Sequence, residues 1–207
     1  MHLAALNISD LMISLWCGTM DCIKPDDRST WTWAVLQRRD VWHEHGSAVA
    51  GALHYLSSSF NRPLCNIAEK LTSGYKAWEF LLYLYGLGPG LLYNVLLEEY
   101  YTNYCKLVYG VRLMNQHRIT HDNLCQAYLA LTSFVQEFEI IYCQCLSTRI
   151  HFVRPCIHSL VHLLHEVIRL GPPICSSQWT LERTIGNLGE EIKQHSNPFS
   201  NLLQRGI

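Results

Sequence analysis

Charged residues are scarce in this sequence. Only 16% of the 207 residues are Asp, Glu, Lys or Arg, whereas soluble domains average about 25%. The formal net charge is −1 and no stretch concentrates Lys and Arg, so the charge pattern alone does not indicate a nucleic-acid surface. Hydrophobic residues make up 49% of the chain, which predicts a protein that buries much of its surface or covers it with a partner.

A secretion signal is also missing from the sequence. No basic segment followed by an apolar one opens the chain, and the first cationic residue is Lys24. The nine cysteines are an odd number and cannot all pair. We therefore expect reduced thiols that act mainly as small buried hydrophobic side chains, and a location in the nucleus or cytoplasm rather than in the secretory route.

One uncharged run raises the question of a membrane span. Residues 80–97 carry no charge over 18 positions, which is the minimum length for a spanning helix. Gly86, Gly88, Pro89 and Gly90 interrupt its middle, where a spanning helix would have to be continuous. The run predicts two buried helices joined by a tight turn, and no membrane partner.

The spacing of apolar residues predicts an all-α fold. Intervals of three and four recur along most of the chain, and no period-two alternation with hairpin turns is present. Helices this apolar need cover on several faces, which favours an orthogonal helical bundle. We divide the chain into a helical region over residues 1–148 and a C-terminal helical region over residues 149–207.

The most regular helix is predicted to begin at Thr120, a good N-cap residue. Apolar side chains then alternate by three and four positions, as in the seam of a coiled coil. Such a seam is typical of a helix that packs against a neighbouring helix or mediates dimerisation. Its members are Leu124, Tyr128, Leu131, Val135, Phe138, Tyr142 and Cys145.

Few motifs in the sequence carry chemistry. No P-loop, dinucleotide-binding or nucleophile-elbow motif is present, so we expect no small-molecule substrate. His158, His162 and His165 share one helix face, but Glu166 follows the last histidine, whereas zinc proteases place a glutamate between two histidines. We interpret the three histidines as buried or partly buried side chains bonded to neighbouring backbone, and we expect no metal site. A His-rich metalloenzyme is the least favoured function.

The segment after residue 177 predicts a helix of unusual composition. Gly186 and Gly189 lie on the same face as Glu182, at a cost of about 1 kcal/mol each relative to alanine. Such a face allows another backbone to approach a carboxylate, either from a packed helix or at a substrate and metal site. The predicted core stripe of this helix is Leu181, Ile185, Leu188 and Ile192.

The same C-terminal segment resembles a known family. His158-x3-His162-Leu163, Gly171-Pro172 and Trp179-x2-Glu182-Arg183-x2-Gly186-x-Leu188 resemble the C-terminal region of En/Spm (CACTA) transposases. Longer stretches are similar to transposon-derived proteins of mushroom-forming fungi, and the similarity spans nearly the whole chain. These stretches are MHLAALNISDLMISLW, WHEHG, NIAEKLTSGYKAWEFLLYLYGLGP, RIHFVRPCIHSLVHLLHE and QWTLERTIGNLGEEIKQHSNP.

The resemblance implies descent from a DNA-transposition enzyme. In that family three carboxylates of an RNase H-like fold hold two Mg²⁺ ions, and a large helical insertion interrupts the fold. By resemblance Glu182 is the third carboxylate, while the second is an Asp before a Met-His pair that here is Met1-His2. We therefore expect a truncated protein that keeps the insertion and the last helix without the β-sheet, has no cofactor of its own and is catalytically inactive alone.

Two classes of partner follow from these interpretations. The resemblance implies DNA, with Arg183 and Lys193 as the candidate contacts, or a full-length transposase. The alternative function is an all-α interaction module, in which the apolar seam mediates dimerisation or binding of another protein. A homo-oligomer is compatible with either interpretation.

Overall fold

The computed structural model describes residues 2–56, 64–176, 179–192 and 196–205. Most of these residues are helical, and no strand occurs among them. The predicted all-α class is confirmed: the protein is a helical bundle. The composition of residues 57–63 predicts a turn, and this segment lies outside the described residues.

The helices are short on average and several are continued by segments of π or 3-10 geometry. The α-helices are α1 (Ser9–Trp16), α2 (Arg39–Gly51), α3 (Ile67–Lys70), α4 (Ala77–Leu81), α5 (Gly88–Leu91), α6 (Glu98–Met114), α7 (His121–Phe138), α8 (Pro155–Ser159), α9 (Leu163–Leu170), α10 (Pro173–Ser176), α11 (Trp179–Glu191) and α12 (Pro198–Arg205). The π-helical segments are Leu3–Ile8, Leu82–Leu87 and Glu139–Cys143, and the 3-10 segments are Arg28–Thr30, Ala52–Tyr55, Ser147–Phe152 and Leu160–His162.

The first helix is buried on most of its surface. The apolar spacing of residues 3–15 predicts a helix, and the structure has the π-helical segment Leu3–Ile8 followed by α1 there. Leu11, Leu15 and Trp16 are fully buried. The helix is therefore a central element of the bundle, as its nearly all-apolar sequence requires.

Residues 31–37 depart from the predicted helix. The sequence predicts helix from Trp31 onward, but the first α-helix after this point begins at Arg39. Trp31 and Trp33 stack at 5.5 Å between ring centroids, and Trp33 meets Tyr142 edge-on at 5.6 Å. Burial of two indoles in one irregular segment outweighs local helix propensity here.

These rings belong to a larger set of aromatic side chains, which we call the aromatic core. The aromatic core consists of Trp16, Trp31, Trp33, Tyr100, Tyr142 and Phe152. Each member is at most 4% exposed. Trp16 donates a hydrogen bond from Nε1 to the hydroxyl of Tyr142 over 3.3 Å, so an indole N–H taken out of water retains a partner.

The pair α6–α7 is the most extensive helix contact of the bundle. Gly110 of α6 allows this approach, because a Cβ there would lie 2.5 Å from Cγ of Leu131 on α7. Asn103 of α6 is fully buried and donates from Nδ2 to the carbonyl oxygen of Phe134 over 3.1 Å. A glycine contact and a polar contact therefore define how the two helices pack.

The buried stripe of α7 differs from the predicted seam. Thr120 caps the helix as predicted, since its hydroxyl accepts from the Asn123 backbone N–H. Of the seven predicted seam residues, Cys145 is exposed and three others are only partly buried. The fully buried residues of α7 are Ala127, Leu131, Phe134 and Phe138.

The predicted turn at the glycines around Pro89 is wrong. The backbone stays helical from Leu82 to Leu91, and the turn follows at residues 92–97. In π geometry the backbone N–H at position 89 would donate to the carbonyl oxygen of Leu84, but Pro89 has no N–H. The hydroxyl of Tyr104 donates to this carbonyl oxygen instead. Gly88 makes this possible, because a Cβ there would collide with the Tyr104 hydroxyl.

Packing continues across residue 148. Helix α9 and the segment Leu160–His162 pack against α7, and α8 packs against the segment Leu3–Ile8. The sequence predicts one helix that opens at Pro155 and is closed by Gly171-Pro172-Pro173. Pro155 starts α8 and α9 ends at Gly171, which has a φ of 81°, but the 3-10 segment Leu160–His162 separates the two helices. The division of the chain at residues 148 and 149 stays a prediction.

Candidate functional site

The residues singled out by the transposase resemblance lie at the C-terminal end of the chain. Glu182 and Arg183 are part of α11, in a stretch where the structure describes the backbone but not these two side chains. Lys193 lies outside the described residues. The structure therefore places the Glu182 position on a helix that follows the bundle.

The predicted core stripe of α11 is wrong at Ile185, and its last residue, Ile192, is only partly buried. Ile185 is 58% exposed, although the stripe placed it in the core. Gly186 and Gly189 are exposed, and a Cβ at either would meet nothing within 4 Å. No backbone among the described residues packs closely against either glycine.

The predicted burial of His158, His162 and His165 is wrong, since all three are exposed, and the first two bond to each other. Nε2 of His158 and Nε2 of His162 are 3.0 Å apart, with one imidazole donating to the other. Glu166 accepts a hydrogen bond from Arg169 instead of joining the pair. No group of three or more His, Cys, Asp and Glu side chains that could hold a metal ion occurs among the described residues.

The cysteines differ from the sequence prediction in their burial. All nine are free thiols, but only Cys143 and Cys156 are buried, and the exposed ones are Cys65, Cys125, Cys145 and Cys175. Burial raises the pKa of the Cys143 thiol to about 11 and that of Cys17 to about 12. These two thiols are therefore protonated and unreactive at neutral pH.

A buried ion pair connects two distant parts of the chain, and the sequence did not predict it. The guanidinium of Arg149 donates to both carboxylate oxygens of Asp26, at 2.8 and 2.5 Å, and each side chain is only 3% exposed. Hydrogen bonds from Arg149 lower the pKa of Asp26. Trp31 also donates to this carboxylate over 2.9 Å. No local pattern relates residues that lie 123 positions apart.

Arg149 is held from several sides. Its guanidinium lies over the Trp33 ring, 5.0 Å from the centroid, and donates to the side chain of Gln144 over 2.6 Å. The guanidinium N–H donors are thus engaged by side chains of the protein itself, and one face of the group is covered by an aromatic ring. We assign Arg149 a structural role and not a role in DNA contact.

The chain that follows α7 forms an apolar concave surface, which we call the apolar groove. Gln144 and Cys145 have positive φ angles of 52° and 57°, and they reverse the chain so that the segment Ser147–Phe152 runs beside the segment Glu139–Cys143. The cavity between these segments is about 480 Å³. Its lining includes Ile140, Cys143, Leu146, Ile150 and Val153.

Two isoleucines project from the rim of the apolar groove. Ile140 is 67% exposed and Ile150 is 68% exposed. Exposed apolar side chains are common singly, but two beside an apolar cavity form a contiguous patch. The sequence pattern that could have indicated the groove is the apolar density of residues 140–153, of which only Tyr142 and Cys145 belonged to the predicted seam.

Comparisons with known proteins do not identify a family. No protein-family model, no curated protein and no solved structure matches this chain.

Among the described residues, no helix combines the length and apolar character that crossing a membrane requires.

Proposed function

We propose that this chain is a transposase-derived helical domain that does not cleave or join DNA by itself. The CACTA-type resemblance and its Trp-x-x-Glu-Arg motif support this origin. The observation that carries the proposal is the position of Glu182 on α11, a helix that follows an apolar helical bundle, which is the order expected of an insertion and the helix after it.

The chemistry of strand transfer explains the proposed inactivity. Two-metal catalysis needs several carboxylates that converge on ions about 3.5–4 Å apart. In this sequence only Glu182 matches a carboxylate motif of the family. The Mg²⁺ ions therefore belong to full-length relatives, and this chain takes no cofactor of its own. Its proposed partners are DNA, through Arg183 and Lys193, and a full-length transposase, in the nucleus or cytoplasm.

A cleavage assay tests the inactivity. The purified 207-residue protein is incubated with supercoiled and linear DNA in Mg²⁺ or Mn²⁺, and we expect no nicking or joining. A cooperative thermal melt of the same sample shows that the protein is folded. Cleavage that disappears in Glu182→Gln but persists in Glu190→Gln, a matched change on the same helix, would contradict the proposal.

A genomic test addresses the origin independently of activity. The proposal expects the DNA upstream of the Met1 codon to encode an Asp directly before Met1, in the same reading frame. Expression of the chain with that upstream frame would then be required for any strand transfer, and Glu182→Gln would abolish it. An upstream sequence without this Asp and without a continuous frame would remove the main support for transposase descent.

A second candidate function is self-association through the apolar groove. A two-fold contact brings the same patch of both copies together, so the patch must contain both a projection and a cavity. The apolar groove meets this condition, because Ile140 and Ile150 project beside the cavity that they help to line. The net charge of −1 adds little repulsion between two copies.

Sedimentation at several protein concentrations tests this second candidate. We expect the wild-type protein to form a dimer as concentration rises, and Ile150→Glu to remain a monomer. The control is Ile168→Glu on α9, since Ile168 is equally exposed at 68% but does not line the groove. A wild-type protein that stays monomeric, or equal dissociation in both variants, would exclude the groove as the dimer contact.

A further inference from the structure

His158 and His162 form a paired arrangement that neither proposed function uses. His158 lies in α8 and His162 in the following segment Leu160–His162, so a spacing of four places the rings on one face. The ring centroids are 4.8 Å apart with an angle of 73° between the ring planes, and both residues are exposed. The two Nε2 atoms are 3.0 Å apart.

We propose that these two nitrogens form a surface chelate for a divalent ion of tetragonal preference, Ni²⁺ or Cu²⁺. Imidazole nitrogens lie about 2.0–2.1 Å from a divalent metal, so a separation of 3.0 Å corresponds to an N–metal–N angle of about 94°. Adjacent positions of a square or octahedral ion are about 90° apart, while tetrahedral zinc needs about 109°. The two nitrogens therefore have to move less to reach adjacent positions of a tetragonal ion than to reach those of tetrahedral zinc.

Binding rearranges protons and water at the pair. In the metal-free protein one Nε2–H donates to the other Nε2, and the metal needs both lone pairs. Each imidazole in the complex therefore carries its proton on Nδ1, and water fills the remaining coordination positions. The described residues bring no third His, Cys, Asp or Glu to this place, so the site differs from the three-histidine zinc site that the sequence analysis disfavours.

Calorimetric titration with Ni²⁺ tests the chelate. Ni²⁺ is the appropriate probe because Cu²⁺ oxidises thiols, and the chain has nine cysteines. We expect one Ni²⁺ per chain at this pair. His158→Ala and His162→Ala should each lower the affinity for Ni²⁺ by roughly tenfold or more, because the loss of a side chain that only supports a metal ligand already lowers affinity by about that factor. Both side chains are exposed, so the variants should melt as the wild type does without metal.

Two control variants separate this pair from other histidines. His165→Ala changes the next histidine along the chain, which lies in α9. His121→Ala removes a ring that lies 3.8 Å from the Cys125 sulfur and offers a competing pair. Both variants should keep the affinity for Ni²⁺, and Ni²⁺ should raise the melting temperature of both. Unchanged affinity in His158→Ala and His162→Ala would overturn the site, and Zn²⁺ binding as tightly as Ni²⁺ would overturn the tetragonal assignment.

Discussion

Helix α7 and the C-terminal pair α11–α12 have similar apolar periodicity but differ in burial. In α7, Leu131, Phe134 and Phe138 are fully buried against neighbouring helices. In α11 and α12, Ile185 is 58% exposed and Phe199 is 80% exposed. Periodicity therefore predicts that a segment is helical, whereas burial depends on a neighbour that the segment itself does not specify.

Specific contacts account for the difference between the two regions. The bundle around α7 has a glycine that permits close approach, a buried asparagine that bonds a backbone carbonyl and an ion pair between distant segments. The C-terminal pair carries glycines at positions 186 and 189 that meet nothing within 4 Å. Substitutions that break the bundle contacts should therefore lower the free energy of unfolding strongly, whereas substitutions in the C-terminal pair should change it little.

The largest effect is expected at the buried ion pair. Asp26→Ala leaves the Arg149 guanidinium, 3% exposed, without a carboxylate, and we expect a loss of about 3–5 kcal/mol in the free energy of unfolding measured in urea. The control is Asp10→Ala, which removes an ion pair with Arg154. The Asp10 side chain is 65% exposed, so this change should cost about 1 kcal/mol or less. Equal costs in the two variants would contradict a structural role for the pair.

The next effect is a pH dependence due to His45. This side chain is 6% exposed and shares a hydrogen bond of 2.8 Å with the Tyr83 hydroxyl. Burial lowers its pKa to about 4 from the ordinary 6.5. Between pH 6.5 and pH 4 this histidine is therefore protonated in the unfolded chain and neutral in the folded protein. The free energy of unfolding is highest above pH 6.5, and it should fall by about 3 kcal/mol as the pH is lowered to 4.

Unfolding in urea at pH 7 and pH 4.5 measures this dependence. His45→Gln removes the titrating group, and the difference in stability between the two pH values should shrink by most of the expected loss. A variant with the same pH dependence as the wild type would show that other groups cause the loss.

A smaller effect is expected at Gly88. A Cβ there would collide with the Tyr104 hydroxyl and lie 2.8 Å from the carbonyl oxygen of Tyr83, so Gly88→Ala should cost about 1–3 kcal/mol. Gly90→Ala is the matched control on the same helix, because nothing lies within 4 Å of its Cβ position. It should be neutral or stabilise by up to about 1 kcal/mol, through helix propensity. Thermal and urea unfolding of both variants check the difference.

The sequence predicted the helices better than it predicted their packing. Local signals sufficed for the Thr120 cap, for the start of α8 at Pro155 and for the end of α9 at Gly171, since each acts within a few residues. The turn predicted at the glycines around Pro89 was wrong, because the Tyr104 hydroxyl that replaces the missing N–H comes from another helix. Non-local partners of this kind leave no pattern in the adjacent sequence.

The candidate sites show the same limit. Helical spacing placed His158 and His162 on one face, and the structure brings their nitrogens to 3.0 Å. The apolar groove was not predicted, because it depends on two consecutive residues in the left-handed conformation, Gln144 and Cys145, neither of which is glycine. Periodicity continued through these residues predicts one straight seam, whereas the chain reverses there.

The smallest effect is expected in the C-terminal pair. The Ile185 and Phe199 side chains already contact water, so Ile185→Ser and Phe199→Ser remove little buried apolar area, and each should change the free energy of unfolding by about 0.5 kcal/mol or less. The matched change in the bundle is Phe134→Ser at a fully buried position, where loss of the ring and the resulting cavity should cost about 3–5 kcal/mol. A loss above about 1 kcal/mol in Phe199→Ser would mean that this ring packs in solution, and the contrast between the two regions would then be one of degree.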